Sequence, residues 1–201
     1  MNKGEVVSLG IVDEKGIMGL IYMAGDVVRW HHYNMYHERQ RKQLCLVHAL
    51  NAIMQQEEFT EESLNEICYS LDERKWFNPH KSWLNLGNYD VNVLMAALAT
   101  KDLQMMWFDS RQDPARIRLE FVKAFIVNVP GRYIPFMTNR HWFTILQRDD
   151  GAFVNLDSKL DEPELIRDIV AYIREKFEKT EDKVQVMIVS SMDSAELLKA
   201  E

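Results

Sequence analysis

The sequence predicts an α+β domain, in which helices from the first half of the chain pack on a mainly antiparallel sheet formed by the second half. Apolar residues recur at helical spacing three times between residues 44 and 101. Short β-branched and aromatic runs, separated by turn residues, follow between residues 104 and 189. Helices and strands that occupy separate parts of a chain are typical of α+β folds.

Three helices are predicted in the first half. The first covers Leu44 to about Gln55, where apolar residues recur every three or four positions. Thr60 is expected to cap the second helix, and Asp90 is expected to cap a third that runs from Val91 to about Lys101. The inward stripe of the second helix is predicted to consist of Leu64, Ile67, Cys68 and Leu71.

The second half is predicted to contain five strands and two helices. Asp149-Asp150-Gly151 predicts a hairpin turn. Asp113 and Pro114 favour a short helix, and Asp161 and Pro163 are predicted to open a long one that ends near Lys179. The inward residues of that long helix are expected to be Leu165, Ile166, Ile169, Ile173 and Phe177. The predicted strands are Gln104–Phe108, Ala124–Val129, His141–Gln147, Ala152–Leu156 and Val184–Val189.

Three regions are distinguished along the chain. Residues 1–34 are predicted as an N-terminal extension, in which Val6–Val12 and Ile17–Met23 form a hairpin. Residues 35–190 are predicted as the main domain and residues 191–201 as a short tail. Loops are predicted at residues 77–89 and 130–139, which hold Pro, Gly or Asn.

Composition excludes several classes of function. The hydrophobic share of 47% and the charged share of 27% indicate a globular chain rather than a disordered one. A net charge of -7 disfavours nucleic acid and anionic membranes and leaves proteins or peptides as the expected partners. Two cysteines form no disulfide framework, and no stretch reads as a signal peptide or a membrane span. We expect a soluble, cytoplasmic monomer without a cofactor. No metal site is expected, because no close Cys/His ligand cluster is present.

Cys45 is a candidate nucleophile. It stands at the predicted start of the first helix, just after the polar and basic stretch Arg39–Gln43, with only Leu44 between them. The N–H groups of a helix start and nearby cations both favour the thiolate form. The alternative is that Cys45 is a buried packing residue, as unpaired cysteines usually are; that interpretation is preferred for Cys68, on the apolar stripe of its helix.

A thiol nucleophile needs a base, and the base needs a group that orients it. His141 begins a predicted strand, and Asp157 follows the next strand. A short hairpin loop would set them opposite each other, within about one residue, so that the carboxylate accepts the imidazole N–H. The alternative is a polar pair at a sheet edge. His48, one turn after Cys45, is interpreted as a histidine at the edge of the core, because the helix offers it no third partner.

The remaining requirement is an oxyanion hole, which needs N–H donors beside the attacked carbonyl. The backbone N–H of Cys45 is one candidate donor. A side-chain amide from Gln40 or Gln43 is the second, and Gln40 is favoured because it has enough chain to fold back toward the helix start. The alternative for either glutamine is a solvated surface residue.

Six short runs resemble, in the same order, the Josephin domain, a papain-like deubiquitinase fold. Together they cover about residues 36–190, and the order of Cys, His and acid makes the resemblance specific. It is nearer to the small stand-alone Josephin proteins than to the ataxin-type member. The runs are Tyr36–Gln40, Leu44–Cys45, His48–Asn51, Gly87–Val91, Arg140–Phe143 and Asn155–Ser158.

The resemblance implies a role for each matching residue. Cys45 matches the family's nucleophile, His141 matches its base, and Asp157 matches the residue that orients the base. Gln40 matches the oxyanion-hole glutamine, five residues before the cysteine. The implied reaction is hydrolysis of the isopeptide bond after the last glycine of ubiquitin, and the implied partners are ubiquitin and ubiquitinated proteins.

Four aromatic residues are candidates for contact with ubiquitin. Trp142 is expected to wall the channel for the glycine tail, and core packing is a compatible alternative. Trp76, Phe77 and Trp83 are candidate anchors in the helix–loop of residues 60–89. The alternative is that these three only hold the loop down.

Two rival functions stay open. The first is a non-catalytic ubiquitin-binding module with the same fold, and the second is a cysteine peptidase that acts on ordinary peptides. The complete set of Gln, Cys, His and Asp argues against the first, because a pure binder needs none of this chemistry.

Overall fold

A computed structural model of the chain describes two compact units, Met1–Met35 and Tyr36–Glu201. Within the first unit, strands β1 (Gly10–Val12) and β2 (Met18–Leu20) pair antiparallel, which confirms the predicted hairpin. The predicted loops at residues 77–89 and 130–139 lie almost wholly outside the described residues. The described residues are 10–12, 18–20, 35–71, 89–131, 140–179 and 184–199.

The three predicted helices of the first half are confirmed as α1 (Cys45–Met54), α2 (Glu61–Leu71) and α3 (Val91–Ala99). Both predicted caps are also confirmed. The N–H of Ser63 donates to Oγ1 of Thr60 over 3.2 Å, and the Asp90 carboxylate accepts from the first turn of α3. In the described part of the chain, no helix is long and apolar enough to cross a bilayer.

One position of the predicted α2 stripe is wrong. Leu64 and Cys68 are buried as expected, and Ile67 is partly buried, but Leu71 is 42% exposed. The reason is that α2 ends at Leu71, so this side chain lies beyond the turns that carry the buried residues. Cys68 is therefore a packing residue, as the sequence indicated.

The strands of the second half form one antiparallel sheet, in which all of the predicted strand segments appear with one additional strand, Glu164–Ile166. The bounds are β3 (Leu103–Phe108), β4 (Ala124–Pro130), β5 (Arg140–Gln147), β6 (Phe153–Asn155), β7 (Glu164–Ile166) and β8 (Gln185–Ser191). Their order in the sheet is β3-β8-β4-β5-β6-β7, so that the last strand of the chain, β8, lies between β3 and β4.

The long helix predicted from Asp161 is wrong in its first part. Glu164–Ile166 is strand β7, which pairs with β6, and helix α4 begins only at Ile169 and ends at Lys179. Asp168 caps this helix, since its carboxylate accepts the N–H of Ala171 over 2.9 Å. As a result Leu165, predicted to face inward, is 47% exposed.

Three smaller elements complete the described part of the unit, one of which is a 3-10 turn over Leu119–Phe121. Asp113 and Pro114 open the predicted short helix, a single 3-10 turn over Pro114–Arg116. Helix α5 (Met192–Lys199) occupies the region predicted as a tail. The N–H of Ser194 donates to Oγ of Ser191 over 3.2 Å, which caps this helix.

Strand β5 is covered on both of its faces. On one face, Oγ1 of Thr144 donates to the carbonyl oxygen of Ala49 in α1 over 2.7 Å. On the other face, Phe143 and Ile145 pack in one core cluster with Ile169 and Ile173 of α4. Because neighbouring residues of a strand face opposite sides, β5 carries α1 on one face and α4 on the other. The arrangement is an α+β papain-like fold.

Asn51 ties α1 to the chain that follows it. Its side chain is almost fully buried, and Oδ1 accepts the backbone N–H groups of Glu58 (3.1 Å) and Phe59 (2.7 Å). Its Nδ2 donates to the carbonyl oxygen of Phe59 over 3.0 Å. A buried side chain that satisfies three backbone groups fixes the path between α1 and α2.

We predict that Asn51→Ala lowers the free energy of unfolding by about 2–4 kcal/mol, because buried backbone groups lose their partners. Urea unfolding followed by circular dichroism measures the change. The matched control is Asn92→Ala, an exposed helical asparagine, which is expected to cost less than about 1 kcal/mol. Equal effects of the two substitutions would contradict this account of the α1–α2 connection.

Candidate active site

Cys45 is the first residue of α1, and its thiol is buried against the start of β5. The Sγ atom lies 4.0 Å from the carbonyl oxygen of Arg140, and the backbone N–H of Trp142 points at the sulfur. These are the two residues that flank His141. The helix therefore brings the thiol to the short stretch of strand that carries the candidate base.

His141 and Asp157 form a direct pair. Nε2 of His141 lies 2.6 Å from Oδ1 of Asp157, and the imidazole is buried. Oδ1 also accepts the backbone N–H of Lys159 over 2.9 Å. A carboxylate that accepts Nε2–H fixes the ring tautomer and leaves Nδ1 as the nitrogen that can accept a proton.

The register of the hairpin differs from the predicted one. The β5–β6 ladder places Ile145 opposite Asn155, and continuing it places Asp157 opposite Phe143 rather than His141. Residues Asp149 to Gly151 form a three-residue loop, in which Gly151 has a left-handed φ of 81°. The predicted pair is therefore diagonal: His141 and Asp157 share a face of the hairpin without being directly opposite.

Several charges and hydrogen bonds set the pKa of Asp157. Burial raises the pKa of this carboxyl. The hydrogen bond and charge of His141, together with the backbone N–H and charge of Lys159, lower the pKa by more than burial raises it, so that the net shift is downward. Asp157 is therefore ionised at neutral pH and can accept the Nε2–H of His141.

The predicted thiolate character of Cys45 is wrong for the resting structure. Burial raises the pKa of the Cys45 thiol above its usual value, and this exceeds the lowering by the Trp142 N–H, the Lys159 charge and the N–H groups at the helix start. The helix N-terminus acts in the predicted direction, but the loss of hydration outweighs it. The resting thiol is protonated and needs a base.

Gln40 lies beside the loop that carries Asp157. Its backbone N–H donates to the carbonyl oxygen of Ser158 over 2.7 Å, and its side-chain Nε2 donates to the carbonyl oxygen of Lys42 over 3.1 Å. A primary amide has two N–H groups, so one is left for another acceptor. Oε1 of Gln40 and Oε1 of Gln43, the alternative, are both buried without a partner among the described residues.

The candidate ubiquitin contacts are only partly described. Trp142 is buried, and its indole N–H donates to the carbonyl oxygen of Tyr89 over 3.3 Å, which is the packing role weighed for it. The three other candidates, Trp76, Phe77 and Trp83, lie outside the described residues. Their assignment stays a prediction.

Sequence reasoning missed the carboxylate that partners His48. Glu38 contacts Nδ1 of His48, although the sequence suggested that no third partner was available. Glu38 could have been considered from the sequence, because it lies in the run Tyr36–Gln40 that resembles the Josephin domain. The direction of its side chain, however, depends on how residues 35–44 cross α1. In the described part of the chain, no group of three His, Cys, Asp or Glu residues is arranged to hold a metal ion.

The fold and the site together define a papain-like α+β protein with a cysteine at a helix start and a His–Asp pair on the sheet. The sequence profile described as Josephin matches residues 40–190, which is more than half of the chain. The chain therefore belongs to the Josephin family.

The relatives differ in how much of their length this chain covers. Josephin-2 of Homo sapiens is 45% identical over 139 residues, which are 67% of this chain and 73% of that protein. A Josephin-like protein of Drosophila melanogaster is 45% identical over 141 residues, 67% of this chain but only 63% of the relative. Ataxin-3 of Homo sapiens is 28% identical over 154 residues, 67% of this chain and 40% of ataxin-3. The chain thus spans less than two thirds of the fly protein.

We predict that alkylation of Cys45 by iodoacetamide accelerates with pH and reaches half of its maximum above the pKa of about 8.5 of a free thiol. Only the thiolate reacts, and burial raises the pKa of Cys45. Stopped-flow or mass-spectrometric rates between pH 5 and 10 measure the profile.

Two variants serve as controls for this profile. Cys45→Ser gives the background from buried Cys68, and Lys159→Met should move the midpoint upward, because it removes a cation that lowers the pKa of Cys45. The exposed Lys123→Met should leave it in place. A fast, pH-independent rate between pH 5 and 8 would contradict the protonated resting thiol.

Proposed function

We propose that this protein is a cysteine-type deubiquitinase that hydrolyses the isopeptide bond after the C-terminal glycine of ubiquitin. The single observation that carries the proposal is the meeting of the Cys45 thiol with the backbone on both sides of His141, whose Nε2 lies 2.6 Å from the Asp157 carboxylate. Membership of the Josephin family supports ubiquitin as the substrate, since the family resemblance implies that specificity.

The first step is acylation. Nδ1 of His141 accepts the Cys45 proton as the sulfur attacks the carbonyl carbon of the terminal glycine. The ionised Asp157 stabilises the resulting imidazolium and holds the ring by its Nε2–H. The carbon–nitrogen bond breaks when the imidazolium gives its proton to the lysine amine, and a thioester is left on Cys45.

The second step is hydrolysis of the thioester. His141 accepts a proton from water, the resulting hydroxide attacks the thioester carbonyl, and the thiolate leaves and recovers a proton from the imidazolium. The oxyanion formed in both steps is stabilised by the backbone N–H of Cys45 and by the side-chain amide of Gln40. All of these groups belong to the chain itself, so the proposed reaction needs no metal.

The aromatic candidates complete the proposal. Trp142 supports the cleft from within, because its packing and its bond to Tyr89 fix the strand next to His141. Trp76, Phe77 and Trp83 are proposed as contacts for the folded body of ubiquitin. The partners are ubiquitin and ubiquitinated proteins, and the protein is proposed to act as a monomer in the cytoplasm.

We predict that ubiquitin with a C-terminal vinyl methyl ester labels the wild-type protein at Cys45. Cys45→Ala should give no adduct, and His141→Ala should lower the rate of hydrolysis of a ubiquitin–fluorophore amide by at least about a thousandfold. The matched control is Cys68→Ala, which should be labelled like the wild type because Cys68 is a buried packing residue. Gel mobility and intact mass give the readout.

The same experiment separates the rivals. Ubiquitin binding without any adduct would favour a non-catalytic ubiquitin-binding module. Cleavage of short unrelated peptides as fast as ubiquitin conjugates would favour a general cysteine peptidase. Either result would overturn the proposed function.

A further inference from the structure

The segment that carries Gln40 is fastened on two sides by contacts that the proposed reaction steps do not use. On one side, the backbone N–H of Gln40 donates to the carbonyl oxygen of Ser158 over 2.7 Å. On the other side, the backbone N–H of Arg41 donates to Nε2 of His48 over 3.1 Å. Gln40 is thus held between the loop that carries Asp157 and helix α1.

Both ring nitrogens of His48 are engaged, and the side chain is 8% exposed. Because Nε2 accepts the Arg41 N–H, the proton of the neutral ring lies on Nδ1, where it is donated to the Glu38 carboxylate. Glu38 is itself anchored by the hydroxyl of Tyr36 and, at 3.5 Å, by the side-chain amide of Asn51. The carboxylate therefore fixes the tautomer that can accept from Arg41.

The bond between the Arg41 N–H and His48 is relevant to the reaction because His48 and Cys45 both belong to helix α1. His48 follows Cys45 by three residues on the same helix, so the acceptor of the Arg41 N–H and the thiol belong to one rigid element. Between Arg41 and Cys45, Lys42 has a left-handed φ of 51°, and its carbonyl oxygen accepts an N–H from Nε2 of Gln40. A residue other than glycine in this conformation is retained only where its surroundings hold it.

We propose that His48, oriented by Glu38, is a positioning residue that fixes the Gln40 segment relative to Cys45 and so sets the oxyanion hole. This inference rests on the proposed deubiquitinase function. His48 acts through the backbone of Arg41 and the side chain of Gln40, and not on the reacting atoms. The Glu38–His48 pair therefore affects kcat through the position of Gln40, while the reactivity of the Cys45 thiol itself stays the same.

Two substitutions of similar size separate the two nitrogens of His48. The amide of His48→Gln reaches the position of Nε2, where its oxygen can accept the Arg41 N–H. The amide of His48→Asn reaches only the position of Nδ1, so it can contact Glu38 but leaves the Arg41 N–H without its acceptor. Both variants are measured as full-length chains, with urea unfolding to select a temperature at which each is folded.

The expected result is a selective loss of kcat. With a ubiquitin–fluorophore amide, His48→Asn should lower kcat by about tenfold to a hundredfold, since displacing an oxyanion donor costs up to about a thousandfold. His48→Gln should stay within about threefold of the wild type. KM and the rate of iodoacetamide alkylation of Cys45 should be unchanged in both, because alkylation forms no oxyanion.

A double-substitution cycle with Gln40→Ala tests whether His48 acts through Gln40. In the Gln40→Ala background, His48→Asn should cause little further loss of kcat. If His48→Asn does not fold, Glu38→Gln replaces it in the cycle, because a neutral amide holds the ring less firmly while it still accepts the Nδ1–H. The same non-additive loss is expected.

The outcomes are distinct from those of the proposed function. An inactive wild type overturns that function and this inference with it. An active wild type whose folded His48→Asn variant keeps its kcat, or whose losses multiply with Gln40→Ala, overturns the positioning role alone. A loss of Cys45 alkylation that parallels the loss of kcat would also overturn the positioning role, because such a loss would indicate general damage to the site.

Discussion

The docking of helix α1 across strand β5 is the contact on which the rest of the site depends. The Thr144 hydroxyl bonds the carbonyl oxygen of Ala49 in the buried interface, and the thiol of Cys45 lies against the backbone of Arg140 and Trp142. This packing joins a helix from the first half of the chain to a strand from the second. Without it, the candidate nucleophile on α1 and the candidate base on β5 would not meet.

Burial gives the site its order and also limits its resting reactivity. The same packing that holds the Cys45 thiol against β5 removes water from it and raises its pKa. The carboxyl of Asp157 has the opposite balance, because hydrogen bonds from His141 and Lys159 compensate its burial and lower its pKa. In the proposed reaction, the negative charge on the sulfur is therefore created by proton transfer to His141 during attack and is not present beforehand.

Local patterns predicted most of the fold, because they depend on neighbouring residues. The start of α1 at Cys45, the Asp90 cap and the hairpin around Gly151 all follow from short-range spacing and turn chemistry. The first part of the helix predicted from Asp161 was wrong, since pairing of residues 164–166 with β6 and capping by Asp168 both override a helical period. Tertiary pairing of this kind is not visible in the spacing of one segment.

The candidate residues could be named from the sequence, but the electrostatics of their surroundings could not. Their order along the chain named Cys45, His141 and Asp157, and the structure brings Asp157 to Nε2 of His141. The sign of the Cys45 pKa shift depends on how completely the thiol is buried, which the sequence does not give. The Glu38–His48 contact likewise depends on how the segment before α1 crosses that helix.

The most direct test of the central claim is a crystal structure of the protein joined through Cys45 to a ubiquitin C-terminal aldehyde, which forms a tetrahedral adduct. We expect Nδ1 of His141 to lie within hydrogen-bond distance of the sulfur or the adduct. We also expect the oxygen of the adduct to accept hydrogen bonds from the Cys45 N–H and the Gln40 amide. An adduct oxygen directed to solvent, with the His141 ring turned away from the sulfur, would contradict the central claim.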